Sequence, residues 1–124
     1  SISIDDGYSS SFEAACLAKN NGYKTIIFVI TNLIDKNGYL SSKQLIYLST
    51  IGCIVGSHTH SHKNLTKLNT EDLEEELEKS YQILQKLEER PGIYILYAKP
   101  ISGITFNSLP VRRIFCRPKP FCSL

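Results

Sequence analysis

Short apolar runs alternate along this chain with segments of helical spacing, and this alternation restricts the fold more than any other feature of the sequence. The apolar runs cover residues 2–4, 25–30, 53–57 and 93–98. The run over 25–30 is continuous and rich in β-branched and aromatic residues, which is typical of a strand buried on both faces of a parallel sheet. Strands that alternate with helices predict an α/β fold with a parallel sheet.

Helix signals occupy the intervals between these runs. We expect three helices, over about 11–19, 42–50 and 71–89. The first two begin with capping boxes, at 10–13 and 41–44, in which a Ser is followed three residues later by Glu or Gln. Thr70 is expected to cap the third helix, and Gly22 suits the left-handed conformation that ends the first.

The charge of the chain gives no reason to expect a nucleic-acid partner. The 124 residues hold 14 Lys and Arg against 12 Asp and Glu, so the net charge is only +2. Six acidic residues fall within 71–78, and we interpret them as the solvated first turns of the third helix, where carboxylates suit the helix dipole. The length is sufficient for one domain of modest size.

The cysteine spacing argues against a cysteine zinc site, and the lengths of the apolar runs argue against a membrane-spanning segment. The four cysteines form no C-x-x-C pair, so a cysteine zinc site is not expected; Cys16 and Cys53 lie in apolar surroundings and are predicted to be buried thiols. No apolar run approaches the roughly 20 residues that span a bilayer, and the chain shows no signal peptide. Because it starts at Ser1, directly before an expected core strand, we expect a preceding segment in the full protein.

Metal-binding residue types follow two of the predicted strands at the point where each strand ends. Asp5 and Asp6 follow the first run, and the pentapeptide 58–62, with its three histidines, follows the third. Because the carboxyl ends of parallel strands meet at one edge of the sheet, we expect these groups to share a cleft. Two imidazoles and one carboxylate are a common zinc-ligand set, although iron(II) also accepts it. A second carboxylate there could act as a general base toward water.

A structural role is the alternative interpretation of each motif taken alone. Asp-Asp-Gly is a common turn sequence, and exposed histidines are ordinary in loops. Both motifs follow apolar strands, however, and their joint occurrence favours a metal-dependent hydrolase. An iron(II) oxygenase is a second alternative. Its fold would normally need antiparallel strands in which polar and apolar residues alternate, and residues 26–30 do not alternate in this way.

The two motifs and the run between them resemble one known family. The sequence S-I-D-D-G-Y at 3–8 is similar to the first motif of the polysaccharide deacetylases, also called the NodB-homology domain or carbohydrate esterase family four, which is typically T-F-D-D-G. The sequence G-S-H-T-H-S-H at 56–62 resembles the second motif, in which H-[ST]-x-x-H follows a glycine and a small polar residue. Residues 25–29 resemble the strand between them, and the likeness covers about residues 1–90.

The resemblance implies a role for each residue of these two motifs. Asp5 would be the catalytic base. The ligands of a divalent metal ion, most commonly zinc, would be Asp6, His58 and His62. His60 occupies a variable position of the motif and would not be a ligand.

The third motif of the family is only partly matched. The family usually has F-R-P-P-Y-G or F-A-Y-P-Y-G, whereas this chain has Y-A-K-P-I-S-G at 97–103. Pro100 is retained, and Ile101 stands where an aromatic residue is expected. The backbone at that position helps to bind the oxyanion in the family, and a backbone donor can survive a change of side chain. The candidates for contacts with substrate or oxyanion are therefore Tyr8, Pro100 and Ile101.

The resemblance also implies an architecture and a reaction. The fold would be a distorted (β/α) barrel of the NodB type, here partial and truncated after about four strands. Residues 1–103 would form this domain, and residues 104–124 an irregular basic tail. The reaction would be hydrolysis of N-acetyl groups on a polysaccharide of N-acetylglucosamine, namely poly-N-acetylglucosamine, peptidoglycan or chitin, in a secreted or cell-envelope setting.

The C-terminal part of the sequence leaves a second function open. The later motifs of the family include a histidine that protonates the leaving amine, whereas all three histidines of this chain lie within 58–62. A catalytically inactive metal- or carbohydrate-binding fragment is therefore the alternative. Because the likeness fades near Glu89, we also hypothesise a shifted reading frame from there on, which translation of the neighbouring frames of the coding DNA would test. The sequence gives no indication of oligomeric state.

Overall fold

A parallel β-sheet forms the centre of the fold in the computed structural model, which describes residues 1–88 and 95–96. The strands are β1 (Ile2–Ile4), β2 (Thr25–Val29), β3 (Ile54–Ser57) and β4 (Ile95–Leu96), and they lie side by side in that order. Each neighbouring pair is parallel, with Val29 opposite Ser57. The predicted α/β fold with a parallel sheet is confirmed, and it argues against the iron(II) oxygenase alternative.

Three helices connect the strands close to where the sequence predicts them. They are α1 (Ser11–Asn20), α2 (Ser42–Thr50) and α3 (Thr70–Glu88). One short 3-10 turn, Thr31–Leu33, follows β2, and another, Leu65–Lys67, lies between β3 and α3. Gly22 has a φ of 80°, as predicted for the residue that ends α1.

The predicted capping boxes differ in their outcome. At α2 the box is present, because the Gln44 N–H donates to Ser41 Oγ over 3.2 Å and the Ser41 N–H donates to Gln44 Oε1 over 2.9 Å. At α1 the prediction is wrong, since Ser10 already has helical dihedral angles and its side chain makes no cap hydrogen bond. Backbone carbonyls of the preceding turn accept from the N–H groups of Ser11 and Phe12 instead.

The cap of α3 also differs from the prediction. Thr70 is the first helical residue rather than the cap. The residue before it, Asn69, supplies a side-chain Oδ1 that accepts from the Asp72 N–H over 2.8 Å. Asn and Thr both suit this position, and the choice of Asn69 moves the start of the helix by one residue.

The core lies between the sheet and the helices that cover it. Its buried residues are Ala15, Ile27, Val29, Leu40, Leu45, Leu48, Cys53, Val55 and Leu84. Cys53 is fully buried as predicted, and desolvation raises the pKa of its thiol. Cys16 is only half-buried, so its predicted burial is met in part. The three helices, β2 and β3 all contribute to this one apolar cluster, which fixes the carboxyl edge of the sheet relative to α3.

The order of the strands bears on the architecture. Consecutive strands are neighbours throughout the described sheet, which is the strand order of a (β/α) barrel. In a doubly wound sheet the spatial order of the strands reverses at one point, so that some consecutive strands are not neighbours. Closure into a barrel, and its truncation, stay predictions. The predicted strand over 93–98 is described only at Ile95–Leu96, and residues 104–124 lie outside the described part. Among the described helices, none combines the length and apolar character needed to cross a membrane.

Candidate metal centre

Two chain segments meet beyond the carboxyl end of β2. The aspartate turn, residues 5–8, follows β1, and the histidine loop, residues 58–62, follows β3. Because β2 lies between these strands, both segments contact its last residue, Val29. The His58 N–H donates to the Val29 carbonyl oxygen over 2.8 Å, and a Cβ placed on Gly7 would come within 2.8 Å of Val29 Cγ1.

Asp6, His58 and His62 bring three potential ligand atoms together. His58 Nε2 lies 3.3 Å from Asp6 Oδ1, and His62 Nε2 lies 3.6 Å from the same oxygen. The two Nε2 atoms are 3.2 Å apart. Asp6 and His58 are half-buried and His62 is exposed. The group is thus held on the protein side and reachable from solvent.

The spacing of these atoms fits a single metal ion. Ligand atoms that bind a tetrahedral zinc ion at about 2.1 Å lie about 3.4 Å from one another, and the observed separations of 3.2, 3.3 and 3.6 Å bracket that value. The donor set of two imidazole nitrogens and one carboxylate oxygen is one that zinc and iron(II) both accept. Three protein ligands are the number found in catalytic zinc sites, whose remaining position serves water or substrate.

Backbone strain is concentrated in the same two segments. Four non-glycine residues of the described structure have positive φ, and three of them belong to the metal centre: Asp6 (69°), Thr59 (68°) and His62 (60°). Each such conformation costs on the order of 1–3 kcal/mol, and a β-branched residue such as Thr59 tolerates it less well than Asp or His. Surrounding contacts must therefore hold these conformations.

Close packing and backbone hydrogen bonds hold the aspartate turn. Gly7 has a φ of 75°, and a side chain there would collide with Val29. The Leu40 N–H donates to the Gly7 carbonyl over 2.9 Å, and the Ser9 N–H donates to the Gly38 carbonyl over 2.9 Å. The segment 38–40 therefore runs beside the turn and fixes the direction in which Asp6 leaves β1.

The other side chains of the aspartate turn face solvent. Asp5 is exposed, and its carboxylate has no hydrogen-bond or ion-pair partner among the residues that the structure describes. Tyr8 is 49% exposed and stacks on Tyr39, with ring centroids 5.1 Å apart. Desolvation raises the pKa of Tyr39, and the nearby Tyr8 and Asp6 raise it further. Tyr39 therefore lies near the metal centre, although it is distant from Asp6 in sequence and carries no motif that could have indicated this.

Side-chain hydrogen bonds hold the histidine loop. Thr59 Oγ1 accepts from the His62 N–H over 3.0 Å, which closes the turn between the two histidine ligands. Ser57 Oγ accepts from the Thr59 N–H over 3.2 Å. The same hydroxyl is hydrogen-bonded to Ser80 Oγ of α3 over 2.6 Å. The loop is thus tied both to itself and to the helix packed against β3.

For Glu76 the prediction of a solvent-exposed side chain is wrong. The acidic run over 71–78 is predicted to be solvated, but Glu76 on α3 is only 4% exposed. Its carboxylate accepts from the N–H and the Oγ of Ser61 in the histidine loop. The buried residues of α3 are Glu76, Ser80 and Leu84, four residues apart on one face of the helix. Two of the three are polar, so the spacing of apolar residues could not have indicated this face.

His60 lies outside the group of ligand atoms. Its Nδ1 is hydrogen-bonded to the Oγ1 of the buried Thr31 over 3.1 Å, and its carbonyl accepts from the Asn32 N–H over 3.0 Å. His60 therefore ties the histidine loop to the 3-10 turn after β2. The candidate oxyanion residues Pro100 and Ile101 lie outside the described residues.

Known proteins are similar to this chain in sequence and in fold. Residues 1–112 match the family model described as polysaccharide deacetylase, so the match runs past the expected domain boundary at residue 103. The Bacillus subtilis protein YxkH, provisionally named a polysaccharide deacetylase, is 27% identical over 97 residues, which cover 77% of this chain and 35% of YxkH.

Two solved structures are similar to this chain over most of its length. The polysaccharide deacetylase BC0361 from Bacillus cereus is 28% identical with a TM-score of 0.62, over 77% of this chain and 31% of that one. Bc1960, described as a peptidoglycan N-acetylglucosamine deacetylase, is 26% identical with a TM-score of 0.56, over 68% of this chain and 39% of that one. This chain therefore spans about a third of the length of these relatives.

Proposed function

The chain belongs to the polysaccharide deacetylase family, and we propose that its metal centre hydrolyses N-acetyl groups on a polysaccharide of N-acetylglucosamine. The observation that carries this proposal is the group of Asp6, His58 and His62, whose ligand atoms lie 3.2 to 3.6 Å apart. The group stands at the carboxyl edge of a parallel sheet, which is where α/β folds of this kind assemble their active sites.

Asp6, His58 and His62 are proposed to hold a divalent ion, most suitably zinc. Such an ion would act as a Lewis acid toward the acetyl carbonyl and would bring the pKa of a water molecule toward neutrality. Of the three side chains only Asp6 carries a negative charge, so the ligands neutralise half of the charge of the ion. The remaining positive charge favours a reaction in which negative charge develops on the carbonyl oxygen.

Asp5 is proposed as the general base. It is exposed beside the ligand Asp6 and has no other partner among the described residues, so its carboxylate is free to take a proton from the attacking water. On a regular strand these neighbours would point to opposite faces. The left-handed conformation of Asp6 and Gly7 breaks that alternation directly after Asp5. The backbone of Ile101 stays the proposed oxyanion donor.

Tyr8 is proposed to bind the sugar, together with Tyr39. Their stacked rings offer a flat apolar surface with hydroxyl groups at its edge, directly beside Asp6. A pyranose ring has a matching apolar face and polar rim, and tyrosine suits surfaces of this mixed character. The description of Bc1960 supports an N-acetylglucosamine polymer such as peptidoglycan, with poly-N-acetylglucosamine and chitin as further candidates. Substrates of this kind imply a secreted or cell-envelope location.

A non-catalytic metal- or carbohydrate-binding role is the second candidate. The observation in its favour is that the sequence has three histidines, all within 58–62, and so none elsewhere to protonate the leaving amine. This candidate keeps the metal centre and the aromatic surface but predicts no acetate release. The two functions therefore separate at the chemical step rather than at metal binding.

The first experiment compares zinc binding in three forms of the 124-residue chain. His62→Asn removes a ligand nitrogen, and His60→Asn is the matched control, because Asn can replace the Nδ1 that contacts Thr31. We expect about one zinc ion per chain in the unchanged protein and in His60→Asn, and none in His62→Asn, by elemental analysis. Equal zinc in all three forms, or none in the unchanged protein, would refute the metal centre.

Acetate release from N-acetylglucosamine oligomers then decides between the two functions. We expect the zinc-loaded chain to release acetate and Asp5→Asn to retain zinc while release falls by at least 10²-fold, the lower part of the range for loss of a general base. Zinc binding without acetate release would favour the non-catalytic candidate.

A further inference from the structure

Glu76 is a buried acid that the proposed chemistry does not use. Its side chain is 4% exposed, and it lies on α3 rather than in either segment of the metal centre. Burial of a carboxylate is unfavourable unless hydrogen bonds satisfy it. Here the partner is Ser61, whose Oγ lies 2.9 Å from both carboxylate oxygens and whose N–H donates to Oε1.

Two hydrogen-bonded contacts join α3 to the chain on either side of the ligand His58. Ser80 is hydrogen-bonded to Ser57, directly before His58, and Glu76 is hydrogen-bonded to Ser61, directly before His62. Ser57 and Ser61 are four residues apart in the chain, and so are their partners Ser80 and Glu76 on α3. The earlier serine pairs with the later residue of the helix. Since four residues make about one helical turn of 5.4 Å, the histidine loop runs antiparallel along one turn of α3.

We propose that Glu76 is a positioning residue of the metal centre: by binding Ser61 it fixes the loop conformation that brings His62 Nε2 to Asp6 and His58. The proposal rests on the metal centre proposed above. His62 has a φ of 60° and is otherwise exposed, so the ligand needs an anchor to hold its strained backbone. The bond from the His62 N–H to Thr59 lies within the loop, whereas Glu76 joins the loop to a packed helix.

The anchor acts on the backbone of the loop rather than on the imidazole. Glu76 accepts from the N–H of Ser61, and so restrains the His60–Ser61 peptide, directly before the ligand. Supporting hydrogen bonds of metal ligands typically contribute 10- to 100-fold in metal affinity. Glu76 is one residue removed from the ligand, and we therefore expect a contribution near the lower end of that range.

The test measures zinc affinity by calorimetric titration of the full 124-residue chain. Glu76→Ala is expected to weaken zinc binding about tenfold. Glu76→Gln is expected to restore it, because the amide oxygen can accept from the Ser61 N–H while the amide N–H donates to Ser61 Oγ. Glu75→Ala is the matched control, since Glu75 is the adjacent acid on α3, is exposed, and forms an ion pair with Lys79 over 2.6 Å.

A second variant guards against loss of folding in Glu76→Ala. Ser61→Ala leaves α3 unchanged and removes the hydroxyl contacts alone, and we expect about threefold weaker zinc binding, an intermediate effect. Circular dichroism establishes that each variant is folded. The visible spectrum of bound cobalt(II) reports the ligand geometry, and we expect it to change in Glu76→Ala and Ser61→Ala but not in Glu75→Ala. A change in stability alone would leave that spectrum unaltered.

The outcomes separate this proposal from the proposed function. Zinc affinity and cobalt spectra in Ser61→Ala and Glu76→Ala that equal those of the unchanged chain would overturn the positioning role and leave the metal centre intact. An equal loss in Glu75→Ala would also overturn it, because the effect would then be one of charge on α3. No zinc binding by the unchanged chain would refute the metal centre, and the role of Glu76 with it.

Discussion

The aspartate turn and the histidine loop reach the same site by different physical means. Both follow a parallel strand, both contact Val29, and both place ligands in the left-handed region of backbone conformation. The aspartate turn is held by a steric fit at Gly7 and by backbone hydrogen bonds from the segment 38–40. The histidine loop also makes backbone hydrogen bonds, with the N–H groups of Thr31 and Asn32. Unlike the aspartate turn, it depends in addition on side-chain hydroxyls and on the buried carboxylate of Glu76.

This difference determines which substitutions each segment tolerates. A segment held by steric fit is sensitive to added volume, because nothing in a packed neighbourhood can yield cheaply. A segment held by polar side chains is sensitive to the loss of a donor or acceptor, because the group left behind is desolvated without a partner. The comparison predicts opposite patterns in the two segments.

The largest expected effect is that of Gly7→Ala. A methyl group would lie 2.8 Å from Val29 Cγ1, and alanine is disfavoured at a φ of 75°, so we expect a loss of about 2–4 kcal/mol in the free energy of unfolding. Gly22→Ala is the control, since Gly22 has a φ of 80° with no atom within 4 Å of the added Cβ, and about 1 kcal/mol is expected there. Equal losses in urea denaturation would show that the contact with Val29 contributes nothing.

An intermediate effect is expected from Thr59→Val in the histidine loop. Valine keeps the shape of threonine but removes the Oγ1 that accepts from the His62 N–H over 3.0 Å. We expect a loss of about 1 kcal/mol in the free energy of unfolding and weaker zinc binding. Thr59→Ser retains the hydroxyl and should restore both quantities. If valine is tolerated without change in either measurement, the loop is not held by this hydrogen bond.

The smallest effect concerns pH and the segment that supports the aspartate turn. Asp35 accepts from the N–H and the Oγ of Ser42 over 2.7 and 2.6 Å, and these hydrogen bonds lower the pKa of its carboxyl below the ordinary 3.8. A lowered folded-state pKa stabilises the fold above pH 3.8, and this contribution is lost as the pH falls through the folded value. Solvent screens the exposed carboxylate, so the effect is small.

Asp35→Asn measures this contribution. We expect the unchanged chain to exceed the variant in free energy of unfolding near neutral pH, and the difference to shrink below pH 3.8. Urea denaturation at several pH values supplies the comparison. A difference that is constant with pH would mean that the charge of Asp35 contributes nothing and that only its hydrogen-bond geometry does.

The sequence predicted the helices and strands because the signals for them are local. The continuous apolar run at 25–30, the helical spacing over 71–89 and the box at Ser41 are each local signals, since period and capping are read over a few neighbouring residues. The parallel sheet then followed from alternation alone. The box at Ser10 failed because the turn before α1 already supplied backbone acceptors, which the pattern of residue types does not record.

The sequence by itself placed two aspartates and three histidines at one edge of the sheet, since both motifs follow an apolar strand and a parallel sheet brings strand ends together. The resemblance to the deacetylase motifs then singled out Asp6, His58 and His62 as the candidate ligands. Only the tertiary structure decided which residues support them. Glu76 bonds to Ser61 and Tyr39 stacks on Tyr8, in both cases across a large separation in sequence. Such pairings depend on how α3 and the segment 38–40 pack against the sheet. An acidic residue within a charged run carries no local sign that its face of the helix will be buried.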